Sequence, residues 1–154
     1  HAYEMPANMI GAERVVRDAL AALDIVSNRV RIGPRVWRVL LRGAGKEGPP
    51  TEVLVQIDDA ALQIMLRVAV VRLPTTNHEP FYRLLLTAND MSTGDCKLSL
   101  SGDTVMLTFA EPVVAFAGEH DMAGLFRDVV QLATQYRSAL SEHFGAEPIR
   151  NDNI

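Results

Sequence analysis

The sequence predicts an α+β fold, an antiparallel sheet with flanking helices in the order α-β-β-β-α-β-β-α. Three observations carry this expectation. Period-two apolar alternation comes in two blocks punctuated by turn formers, and helical spacing stands before, between and after those blocks. The helices are also too few and too unevenly placed for a doubly wound parallel sheet.

Taken in order, Asn8 is placed to cap a first helix over Met9 to Leu23, in which Ala12, Val16, Ala19, Leu20 and Leu23 share a face. From Val30 to Arg42 the period changes to two, with Trp37, Val39 and Leu41 on one side, which predicts a strand. The run from Gly43 to Pro50 is rich in turn formers and reads as a hairpin loop into a second strand, Glu52 to Asp58. Asp58-Asp59 makes the next turn, and Leu62 to Leu73 is a third, β-branched strand ended by Pro74. Phe81, Leu84, Leu85 and Ala88 return to helical spacing over Pro80 to Asn89, with Pro80 in the first turn. Ser101-Gly102-Asp103 then joins two strands containing Leu98 and Leu100, and Val105, Leu107 and Phe109. A closing helix runs from Met122 to Phe144, capped by Asp121 and stopped by Gly145.

The 154 residues suit one domain spanning 1–154, with loose ends at 1–8 and 146–154. Apolar residues make up 48 % and charged residues 22 %, a balance that supports a packed core. The longest apolar run, Ala60 to Val71, is broken by Gln63 and Arg67 and is far too short to span a bilayer, so no membrane partner is expected. No basic segment followed by an apolar one opens the sequence, and Cys96 is the only cysteine, which together imply a cytoplasmic home. A net charge of −4 disfavours nucleic acid at long range, although Arg29, Arg31, Arg35, Arg38 and Arg42 form a local basic run.

The sequence offers no catalytic residue, no metal-ligand set and no cofactor motif. The Gly45-Lys46 fragment lacks the glycine that a phosphate loop needs at position 40, where Leu40 stands, and the hydroxyl residue after the lysine, where Glu47 stands. His1, His78, His120 and His143 follow no ligand spacing, and Glu119, His120 and Asp121 suit capping. Cys96 enters a strand as a small structural residue, and Ser99 and Ser101 lack the flanking glycines of a nucleophile elbow.

The informative feature is the face opposite the core in the first three strands. Parity places Val36, Leu40, Leu54, Met65, Ala69 and Val71 there, beside Arg38, Arg42, Gln56 and Arg67. Apolar surface rimmed by charge marks a protein interface, so this face is the candidate partner-binding site, and cover by the second helix or a twin subunit is the competing explanation. The same arginines would suit RNA phosphates, but stacking needs aromatic rings on that face and Trp37 points the other way. Three classes of function follow in order: a protein-binding chaperone or regulator, a nucleic-acid-binding regulator, and an enzyme assembled from scattered residues.

The segments Phe81 to Asn89 and Cys96 to Leu107, followed by a long amphipathic helix, resemble the bacterial YbjN domain family and the related type III secretion chaperones, including the Tir chaperone group. In those families a helix ending near a Leu-x-x-Asn element leads into a hairpin, and Leu86-Thr87-Ala88-Asn89 stands at that place. The polar loop Asp90 to Asp95 and the arginine-rich first strand depart from the pattern. The resemblance implies a homodimeric, non-enzymatic protein that holds an extended client segment, or a sensory transduction regulator on the same scaffold. It also implies a dimer contact through Phe81, Leu84 and Leu85.

Overall fold

The computed structural model describes residues 7–42, 50–91, 96–117 and 121–150. The elements are α1 (Ala7–Ala22), a one-turn α2 (Ser27–Val30), β1 (Arg31–Gly33), β2 (Val36–Leu41), β3 (Thr51–Asp58), β4 (Gln63–Arg72), α3 (His78–Met91), β5 (Cys96–Ser101), β6 (Thr104–Pro112) and α4 (Met122–Phe144). A 3-10 turn, Val113–Ala117, precedes α4. The strands form one antiparallel sheet in the order β1-β2-β3-β4-β6-β5. The α+β class with flanking helices is therefore the observed architecture.

Local chemistry sets the boundaries. The Asp58 carboxylate accepts from the backbone N–H groups of Ala60 and Ala61 at 3.1 and 3.2 Å, closing the β3–β4 turn. Gly102 takes the left-handed conformation, φ 59°, between β5 and β6. Asp121 accepts from the Ala123 N–H at 3.0 Å to cap α4, and Gly145 ends that helix at φ 66°.

Three expectations need correction. The strand expected over Val30 to Arg42 is two strands, because Pro34 has no N–H to give and turns the chain so that Arg31 pairs with Trp37. Asn8 lies inside α1, which starts at Ala7, and not ahead of it. The tail is not loose from 146: Ala146 is buried, Pro148 bridges Val71, and the Ile149 N–H donates to the Val70 carbonyl at 3.0 Å. The hairpin loop expected over Gly43 to Pro50 falls, at 43–49, outside the described residues, as do 92–95 of the expected polar loop, Glu119 and His120, and 1–6 and 151–154.

The core lies between the sheet and the helices. Trp37, Val39, Val53, Val55, Ile64, Leu66 and Val68 point inward from the strands. Ala12, Val16 and Leu20 of α1 and Phe126, Val129, Val130, Ala133 and Leu140 of α4 pack onto them, at the 3.6-residue spacing that aims one helix stripe at one sheet face. The Trp37 indole N–H donates to the Ser27 hydroxyl at 2.9 Å, so the one-turn α2 supplies the acceptor for a buried ring's polar atom.

Arg137 of α4 reaches into this layer, and among the described residues no carboxylate pairs with it. It donates to the Thr51 hydroxyl at 3.2 Å and to the Ala69 carbonyl at 2.9 Å, at the start of an irregularity in β4. Burial, and secondarily the charge of Arg150, pull its guanidinium below the usual arginine range. Removing the side chain leaves the Ala69 carbonyl without that donor and opens a void. Arg137→Ala is therefore expected to lower the unfolding free energy by about 2 kcal/mol, read from urea denaturation.

Candidate protein-binding face

With α1 and α4 on one side, the alternate residues of the sheet form a second face that stays part-exposed along every long strand. Strand pairing fixes its rows. Val36, Gln56, Met65 and Ala110 form one; Arg38, Leu54, Arg67, Thr108 and Lys97 form the next; Ala69, Met106 and Ser99 form a third, with Leu40 opposite Glu52 at the β2 edge. The structure thus brings Val36, Leu40, Leu54, Met65, Arg38 and Arg67 onto one surface, as parity expected. Arg42 lies just past the end of β2.

Val71 does not belong to it. Between Ala69 and Val71 the register with β6 slips by one residue, so Val70 and Val71 are both buried. Met106 and Ala110 were missed, although their alternation with Val105, Leu107 and Phe109 was the signal that would have found them.

The arginine run proves to be mostly internal wiring. Glu13 of α1 accepts from Arg31 at 3.0 Å and Arg35 at 2.8 Å; Arg35 also reaches Asp59 at 3.0 Å, and Arg31 lies 5.1 Å from the centre of the Trp37 ring. Arg38 pairs with Glu52 at 2.8 Å on the face itself. Guanidiniums committed to carboxylates are poor phosphate contacts, and the three rows contain no aromatic ring for a base to stack on.

At the far edge, Asn89 of α3 donates to the Leu98 carbonyl at 2.9 Å and accepts from the Leu98 N–H at 2.8 Å. Its amide takes the place of a neighbouring strand and blunts the β5 edge. Asn89, the last residue of Leu86-Thr87-Ala88-Asn89, thus ties α3 to the β5 edge. Phe81 and Leu85 of α3 are buried in the chain's own core, where Phe81 meets Phe144 edge-on with ring centres 5.2 Å apart. Of the three expected dimer residues only Leu84 is at the surface, joined there by Tyr82, Leu86 and Met91, with Leu100 also exposed on β5.

The chain shares its fold with chains of two solved complexes. One is the heterodimeric ExoU-SpcU complex from the type III secretion system of Pseudomonas aeruginosa, at 19 % identity and a TM-score of 0.55 over 81 % of this chain and 93 % of that one. The other is the ExsC-ExsE complex, at 8 % identity and a TM-score of 0.52 over 92 % of this chain and 97 % of that one. No family model and no curated protein sequence matches.

Cys96 is half-buried at the start of β5. Burial pushes its thiol up to about 11, against a smaller opposite pull from Lys97. At pH 8 almost none of it is thiolate, so iodoacetamide is expected to modify the folded protein far more slowly than a urea-unfolded control. Because the folded thiol holds its proton more tightly, it favours folding below its unfolded value near 9. That contribution is lost as the pH rises from there through about 11. Among the described residues no three His, Cys, Asp or Glu side chains are grouped to hold a metal ion, and no helix is long and apolar enough to cross a membrane.

Proposed function

We propose that this chain is a non-catalytic protein-binding domain, chaperone-like or regulatory, which holds a segment of a client on the sheet face that α1 and α4 leave uncovered. The observation that carries this reading is the face itself. Val36, Leu40, Leu54, Met65, Ala69 and Met106 present apolar groups on a side of the sheet that a self-sufficient domain would cover or make polar. The likeness in fold to two proteins solved as complexes supports it, and so does the family resemblance of the α3–β5–β6–α4 half.

An extended client lays alternate side chains between the rows, at the two-residue period that a strand and its partner share. The reading places the protein in the cytoplasm and pairs it with a second copy through Leu84, Tyr82, Leu86 and Met91 of α3. Because that surface and the sheet face are built from different residues, self-association and client binding separate by mutation.

Tagged protein retained on resin in native cell extract tests the reading, with bound proteins identified by mass spectrometry. One enriched protein partner, lost from Leu40→Glu, is the expected result. Equal retention by wild type and variant rules out the β2 end of the face, and retention of RNA in place of protein overturns the reading.

A further inference from the structure

On the reading that the uncovered sheet face binds a client, we propose that Arg67 selects it: the face takes an extended segment with the pattern apolar–any–acidic–any–apolar, its carboxylate closing on Arg67. Arg67 sits in the middle of β4, a central strand, with Leu54 and Thr108 across from it and Met65 and Ala69 two residues away along the same face. It is part-buried, and among the described residues its guanidinium makes no hydrogen bond and no ion pair. Its neighbours in the row are already engaged. Arg38, two strands away, is held by Glu52 at 2.8 Å, and the Lys97 ammonium donates to the Asn89 carbonyl at 3.2 Å.

Covering such a cation with apolar atoms alone strips its water and returns nothing, whereas a carboxylate supplies a charge-assisted, two-pronged contact. The flanking positions give the spacing. Met65 and Ala69 lie two residues either side of Arg67, about 6.6 Å along the strand, which is the repeat of an extended partner with an acidic residue between two apolar ones. The same arrangement disfavours a second copy centred on this face. A two-fold axis through the middle of the sheet sets Arg67 against its twin, with two like charges desolvated together. Self-association is thereby left to α3, and the sheet face is left for a partner of opposite charge.

The test pans a random twelve-residue peptide library against the immobilised full chain, beside Arg67→Glu, Arg67→Gln and Leu54→Glu. Wild type is expected to enrich peptides with Asp or Glu two residues from apolar positions on both sides. The amide counterpart of a selected peptide should bind about ten- to a hundredfold more weakly. Arg67→Glu is expected to shift the central preference to Lys or Arg, and Arg67→Gln to abolish the charge preference while apolar peptides still bind. Enrichment of apolar peptides with no acidic position, unchanged in both Arg67 variants, overturns the inference and leaves the binding face standing. Absence of any enrichment over Leu54→Glu overturns both.

Discussion

Phe81→Ala is expected to cost about 3–5 kcal/mol of folding stability, a fall of roughly 6–20 °C in Tm for a chain of this size, while Leu84→Ala costs less than about 0.5 kcal/mol. The two residues are three apart on one helix and equally apolar. Phe81 is fully buried and meets Phe144 edge-on, so truncation leaves a void between α3 and the end of α4. Leu84 is exposed. Calorimetry on both variants checks the stability difference, and sedimentation should show the opposite ranking for self-association, with Leu84→Glu weakening it at unchanged Tm.

The second large effect concerns binding alone. Leu54→Glu combined with Met65→Glu places two carboxylates on adjacent strands beside Arg67, because Leu54 pairs with Arg67 and Met65 with Gln56. Both positions are part-exposed and outside the core cluster, so the loss of stability is expected to stay near 1 kcal/mol. Client binding is expected to fall at least a hundredfold, since the introduced carboxylates occupy the cation and put charge where apolar side chains would dock. Titration of a selected acidic peptide by fluorescence anisotropy measures it.

What the sequence makes legible here is local. Asp121 and Gly145 bracket α4, and Ser101-Gly102-Asp103 turns β5 into β6, because a cap or a tight turn is decided by a few neighbouring residues. Pro34 was equally local but was masked by apolar alternation that continues on both sides of it. Val71 changes faces for a reason no window around it contains: the slip arises from pairing with Val105 of β6, beside a segment at 147–149 that docks on the other side. Phe81 and Leu85 stand on an apolar stripe that reads equally as core or as interface, and the position of Phe144 decides which.

The same limit applies to charge. The basic run before residue 43 looks like a nucleic-acid patch in sequence, yet Glu13, eighteen residues before Arg31, neutralises much of it in space. Parity puts Arg67 on the candidate face, but its neighbours across the strands, Leu54 and Thr108, come only from the sheet pairing. Strand parity, in contrast, gave most of the face directly, because alternation is a property of the strand itself.

Site-specific photo-crosslinking tests the central claim most directly. A benzophenone side chain is placed at Leu54 on the sheet face, or at Gln131, an exposed position on α4, and each protein is irradiated in native cell extract. The account predicts a discrete crosslinked protein partner from Leu54, absent from Gln131 and reduced by Arg67→Glu. A partner captured from Gln131 and not from Leu54 would contradict it, placing the binding surface on the helical side of the domain.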